Sequence, residues 1–248
     1  MRISILSGVV AAALALAISP ALAADINISP TIIQPEFKSL SKEAGAALAY
    51  RNMAPATPLG ITGFDIGGEV SAMSIDKNST HWSKAFTNND APSYLLIPKI
   101  RVRKGLPFGI DVGAMYSYVP SSNIKLYGAE LSKSILDGTM ATPAVGVRAT
   151  YTKLAGVNDL GLQTYGVDAS ISKGFLFITP YAGAGMMWIN SEAKGNLKAL
   201  VPALSKENIS VPRVFGGLVI SPLPLLGITV EAEYAVRPIY SLKAGVSF

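Results

Sequence analysis

The sequence predicts an all-β fold, an antiparallel transmembrane β-barrel of about ten strands, with a short N-terminal helical or periplasmic segment. Three observations predict it. The chain opens on an export leader, its later apolar residues alternate with polar ones instead of forming a long apolar helix, and turn residues break the alternation at regular intervals.

The leader comes first. Arg2 supplies a basic start, Ile5 to Ile18 form a short apolar run, Ser19-Pro20 breaks it, and Ala21-Leu22-Ala23 carries small residues at cleavage spacing. This is the pattern of a secretory signal peptide over 1–23, and its core is shorter than the roughly 20 residues of a spanning helix. The chain has no cysteine, which excludes a lipid-anchored lipoprotein, a disulfide framework and a thiolate metal site. The formal charge of +5 is scattered rather than clustered, so no nucleic-acid partner is expected.

Residues 24–58 read as an N-terminal periplasmic segment or plug. Phe37, Leu40, Ala44, Ala47 and Leu48 fall at helical spacing in an alanine-rich stretch, which suits a helix over 36–51 that plugs the lumen or lies beneath it. Ala46, Leu48 and Tyr50 also alternate, so a twelve-strand barrel that includes residues 27–34 stays open. A single added strand through Ala44 to Arg51 is disfavoured, because it makes the strand number odd and leaves the mature N-terminus outside.

Residues 59–248 read as the barrel. Strands are expected near 60–74, 93–104, 108–118, 122–136, 141–154, 158–173, 176–190 and 208–221, followed by one through Ile228 to Val236 and one over 240–248. Lys104-Gly105-Leu106-Pro107, Asp137-Gly138, Lys173-Gly174 and Ser221-Pro222 make tight turns, whereas the connections over 75–92 and 191–207 are long. Short turns belong on the periplasmic side and long loops outside, and counting back from Phe248 sorts them in that way. In the last strand Tyr240, Leu242, Ala244, Val246 and Phe248 share one face. A terminal strand ending in phenylalanine resembles the assembly signal of bacterial outer-membrane barrels, with Tyr240 and Phe248 as its marks. That resemblance implies the barrel assembly machinery as a partner. To remove both edges, residues 240–248 should pair antiparallel with residues 60–72.

With apolar faces toward lipid, the opposite faces line the lumen and carry a network of charges. Asp65 and Glu69 lie on the first strand, then Lys99, Arg101 and Arg103, then Asp111, Glu130, Arg148 and Asp168, and finally Glu231, Glu233 and Lys243. Opposite signs meet across the seam, where Lys243 should reach Asp65 or Glu69 on one side and Glu231 or Glu233 on the other. A barrel of this size is filled by its side chains, so wide diffusion is not expected. Alternate glycines in Tyr181-Ala182-Gly183-Ala184-Gly185 leave lumenal space for bulky neighbours or a plug. Tyr116, Tyr118, Trp188, Tyr234 and Tyr240 read as interfacial girdles.

No catalytic, cofactor or metal constellation is expected. His81 is the one histidine, with Asp76, Asp90, Ser79 and Ser83 near it in sequence. A surface hydrolase would need His81 to activate a serine or water. The strand number resembles the outer-membrane protease barrel, but none of its motifs is matched. The stretches Gly60-Ile61-Thr62-Gly63-Phe64-Asp65, Lys104 to Pro107, Ser172-Lys173-Gly174 and Thr179 to Gly185 resemble a family of uncharacterised Gram-negative outer-membrane barrel proteins. The resemblance implies fold and location and brings no ligand. The expectation is therefore a non-enzymatic outer-membrane barrel, in contact with outer-membrane lipid, with a structural, surface-interaction or narrow transport role. The alternative is a small channel or transporter for a charged or amphipathic solute.

Overall fold

Period-two alternation sends successive side chains to opposite faces, and the segments that carry it join edge to edge into a closed antiparallel barrel of ten strands. A computed structural model describes residues 26–86, 91–119 and 122–248; the expected leader over 1–23 lies outside them. The strands are β1 (Phe64–Ser74), β2 (Tyr94–Leu106), β3 (Ile110–Tyr118), β4 (Lys125–Leu136), β5 (Ala144–Ala155), β6 (Leu160–Ser172), β7 (Ile178–Ala193), β8 (Glu207–Leu223), β9 (Leu226–Tyr234) and β10 (Pro238–Ser247). β10 pairs with β1 from Asp65↔Ser247 to Met73↔Ile239, so the seam closes and neither edge is left unpaired.

The twelve-strand alternative is corrected. Residues 34–48 form helix α1 (Gln34–Leu48), and Ile26 makes only an isolated bridge to Phe86. Pro35 sits in the first turn, where its missing N–H costs nothing. The Ile33 amide donates to Glu36 Oε2 at 3.0 Å, which ties the helix start.

The connections between β2 and β3, β4 and β5, β6 and β7, and β8 and β9 lie at one end, without the short turns that follow β5 and β9. The long connections lie at the other. The first holds α2 (Thr80–Ser83) and the second α3 (Gly195–Leu200); because β7 runs on to Ala193, the second loop is shorter than the sequence suggests.

The segment before β1 passes through the barrel. At the long-loop end, the amides of Asn27 and Ser29 donate to the carbonyls of Ala85 and Lys84 at 3.1 and 2.8 Å, and the Ser205 amide donates to Gln34 Oε1 at 2.8 Å. At the short-turn end the Leu59 amide donates to Asp111 Oδ1 at 3.1 Å. Residues 26–63 therefore enter at the long-loop end, descend the lumen and turn into β1.

Outside, the wall is apolar, with Ile66, Ile100, Val102, Val112, Leu131, Val147, Val167, Val214, Val230 and Leu242 all exposed. Tyr116 and Tyr127 pair across β3 and β4, Tyr151 and Tyr165 across β5 and β6, and Tyr165 and Trp188 across β6 and β7. They form one belt toward the long-loop end. Tyr118, Tyr234 and Tyr240 are also exposed on the outer face. No described helix is long and apolar enough to cross a membrane.

Candidate functional site

The plug meets two different walls. Toward the long-loop end the inward face is apolar: Met73, Ile97, Leu126, Leu154, Leu162, Met187, Ile189, Ile209 and Val211 are buried around Phe37, Leu40, Ala44, Ala47 and Leu48 of α1. Gly45 shows how close the contact is, since a Cβ there would lie 2.5 Å from the Ile189 side chain. Ser41 and Ser191 Oγ atoms meet at 2.5 Å. Above this layer, Glu43 of α1 is gripped by the loops. Its carboxylate accepts from Trp82 Nε1 at 2.6 Å, lies 3.0 Å from Arg237 Nε and 3.6 Å from His81 Nε2. Burial pushes the Glu43 carboxyl up, but the neighbouring His81, Trp82 and Arg237 outweigh burial and hold it below the usual carboxylate range.

Below α1 the wall becomes charged. Arg51, just past the helix, donates to the carbonyls of Ala46 and Ala47 and to Glu233 Oε1, the last at 3.0 Å. It thus closes helix carbonyls that have no partner within α1. The Arg51 carbonyl in turn accepts from Arg101 and Arg148 at 3.3 and 2.9 Å, and the Tyr50 carbonyl accepts from Arg213 at 2.9 Å. The Arg101 guanidinium stands 4.9 Å over the Tyr50 ring. The Met53 amide donates to Glu231 Oε2 at 3.0 Å, and the Tyr181 hydroxyl donates to the same oxygen at 2.8 Å.

The expected charges all stand in or beside this layer, buried except for Asp65, which is half-buried at its lower edge. Lys99 bonds Glu69 at 2.9 Å, Arg101 bonds Glu130 at 2.8 Å, and Arg103 bonds Asp111 at 2.9 Å as well as Glu130. Arg148 bonds Asp168 at 2.6 Å, and Lys243 bonds Asp65 at 2.9 Å. Lys243 does not join Glu231 or Glu233, contrary to expectation, because both carboxylates turn to the plug. The wall of this layer holds six cations (Lys99, Arg101, Arg103, Arg148, Arg213 and Lys243) and seven carboxylates (Asp65, Glu69, Asp111, Glu130, Asp168, Glu231 and Glu233). Arg51 is the seventh cation, so the plug completes the neutrality of its socket.

Three contributors escaped the sequence reading. Arg213, which donates to Asp168 Oδ1 at 2.6 Å, shares its face with Ile209, Val211 and Phe215. An apolar face there reads as lipid-facing, yet it points inward because the helix covers it. Arg51 and Glu43 carried no signal beyond the helical pattern around them. The glycines of Tyr181 to Gly185 serve wall neighbours rather than the plug: Gly183 clears the Phe215 ring and Gly185 clears Asp168.

Tyr50 and Arg51 are each 1 % exposed and Met53 is 0 % exposed, whereas a water-wide path would expose its lining. The lumen is therefore filled at this level. Beneath it, at the short-turn end, lies a cavity of about 240 Å³ lined by Met53, Leu59, Asp65, Arg103, Thr229 and Lys243.

Outside the lumen, Tyr240 stands exposed between Ala232 and Ala72, and Phe248 exchanges backbone hydrogen bonds with Phe64 at 2.7 and 2.9 Å. The hydrolase arrangement is not assembled among the described residues. Ser79 and Ser83 donate to the carbonyls of Asp76 and Thr80, His81 faces Glu43, and Asp90 lies outside the described residues.

No protein-family model matches the chain, and no curated protein matches it. Several solved structures are similar to it. The N-terminal β-barrel domain of Pseudomonas aeruginosa OprF is 12 % identical, covering 76 % of this chain and 99 % of that one, with a TM-score of 0.36. KdgM porin is 10 % identical over 74 % and 99 % of the two chains, at 0.37. Yersinia pestis Ail, in complex with the heparin analogue sucrose octasulfate, is 13 % identical over 75 % and 97 %, at 0.30. These likenesses concern the barrel fold alone.

Proposed function

We propose that the protein is an outer-membrane barrel sealed by its own N-terminal segment, with a structural or surface role exercised at the long-loop end. The observation that carries this reading is the plug itself, seated through the whole lumen and closing a charged layer that would otherwise be left one cation short. The exposed apolar wall and aromatic belt support the membrane setting. The leader over 1–23 and the terminal Phe248 support export and assembly into the outer membrane, with the assembly machinery and lipid as partners. Binding of a solute by the sealed form has no support in this layer.

A second reading keeps narrow transport of a charged solute, favoured by the vestibule that Asp65, Arg103 and Lys243 line below the seal. It requires the plug to move. Planar-bilayer recording separates the two, using a Ser41→Cys/Ser191→Cys variant that can be locked or released with a reductant; the chain has no other cysteine. The sealed reading expects no conductance steps from the wild type or from either redox form of the variant, and steps only when residues 27–58 are deleted. Steps in the wild type that vanish on oxidising the variant would establish the transport reading instead.

A further inference from the structure

The lipid-facing wall is almost free of charge: apart from Glu192 at the upper end of β7, which bonds Lys194 and Lys206, its exceptions fall into two unlike pairs. Near the short turns, Lys104 donates to the Ile61 and Gly63 carbonyls and Lys133 to the Phe108 carbonyl. Both ammonium groups are satisfied by backbone. At the other end, Lys125 on β4 and Lys153 on β5 are exposed and have no hydrogen-bond or ion-pair partner among the described residues.

These two lysines are close. The register pairs Lys125 with Ala155 and Tyr127 with Lys153, so they are diagonal neighbours on one outward face, about 7 Å apart. Each has a tyrosine directly across the ladder, Tyr118 beside Lys125 and Tyr127 beside Lys153. They stand at the level of the aromatic belt or just above it, where headgroups meet hydrocarbon. On β4, Lys125 and Lys133 bracket Tyr127, Ala129 and Leu131, and about eight steps of ~3.4 Å at a ~40° tilt give a band about 20 Å tall. No outward position of β3 to β6 carries a carboxylate, and the loop carboxylate Asp159 is engaged by the Leu197 amide at 3.3 Å. Below the lysines, Ala114, Ala129 and Ala149 leave a shallow strip against which acyl chains can lie.

We propose that Lys125 and Lys153, with the hydroxyls of Tyr118 and Tyr127, form a binding site for the phosphate of one membrane lipid in the leaflet at the long-loop end. The proposal rests on the membrane-spanning reading. An ammonium pair at this spacing bridges two oxygens of one phosphate, while the tyrosines donate to the others and the alanine strip receives the chains. Zwitterionic headgroups, whose phosphate is already paired with a cation, are held more weakly.

Native mass spectrometry of the refolded protein in neutral detergent tests this with phosphatidic acid against diacylglycerol, which differ only in the phosphate. The wild type is expected to hold one phosphatidic acid and no diacylglycerol, and excess inorganic phosphate should not displace the lipid. Lys125→Gln/Lys153→Gln should weaken that adduct about 30-fold, at roughly one lipid-facing charge interaction per lysine. Lys104→Gln/Lys133→Gln should leave it unchanged. Equal weakening by both double variants, no wild-type adduct, or displacement by inorganic phosphate overturns the site. Flotation with phosphatidylcholine vesicles reads the membrane setting separately, since a protein that fails to float refutes that setting whatever the adducts show.

Discussion

The upper and middle layers of the lumen hold one continuous segment by opposite means. In the upper layer α1 buries Phe37, Leu40 and Leu48 against apolar side chains of the wall, an attraction without direction that depends on area and fit. In the middle layer Tyr50 to Met53 are held by directed bonds to Arg101, Arg148, Arg213, Glu231 and Glu233. The apolar layer can tolerate a lost methylene. The charged layer cannot tolerate a lost partner, because the remaining charge stays buried without compensation.

The largest test of that contrast is Arg51→Met. It leaves Glu233 and the last carbonyls of α1 without their donor, so urea unfolding should show a loss of about 3–5 kcal/mol. Adding Glu233→Gln restores charge balance to the layer and should recover more than half of the loss. If the double variant is as unstable as the single one, charge balance is not what the layer requires.

In the apolar layer Leu40→Ala should cost about 3 kcal/mol through lost burial and the cavity left behind. Leu40 and Arg51 lie in different layers, so combining Leu40→Ala with Arg51→Met should give the sum of the two effects to within about 0.5 kcal/mol. A larger deviation would mean that the plug docks as one unit rather than layer by layer.

The smallest effect belongs to the loop grip on Glu43. Glu36 is also held below the usual carboxylate range: burial pushes it up, but Lys84 and the Ile33 amide prevail. Folded values below the unfolded value of about 4.3 mean stability that is present above that pH and lost as pH falls through the folded values. Acidification below about pH 4 should therefore loosen the long-loop cap, seen as a red shift of tryptophan emission from Trp82. Glu43→Gln should shrink that shift, and an unchanged shift would place the acid sensitivity elsewhere.

Legibility from sequence followed the same division. In the middle layer Asp65, Glu69, Lys99, Arg101 and Arg103 alternate with Ile66, Val70, Ile100 and Val102, so a polar face opposite an apolar one reads directly as lumen against lipid. In the upper layer both faces are apolar or mixed. On β8, Ile209 and Val211 point inward, and on β6 Leu160 and Leu162 point inward while Gln163 points out. The rule that apolar means lipid-facing fails where another apolar element fills the lumen.

Local chemistry alone determined the ten strands and their turns and favoured a helix over 36–51, where the alternation of Ala46, Leu48 and Tyr50 left a strand open, because period two, period 3.6 and glycine or proline breaks act over a few residues. It also determined the closing strand, since only pairing β10 with β1 removes both edges. The path of the plug was decided by tertiary structure alone. Entry at the long-loop end, the docking of Glu43 on the connections that flank the β1–β10 seam and the placing of Arg51 opposite Glu233 join residues that are distant in the chain. A helix with apolar residues on one face needs an apolar surface to cover it, but nothing within the helix specifies which. Only the closed barrel supplies a lumen apolar in its upper half and one cation short below, and that pairing of surface with charge decides where the segment rests.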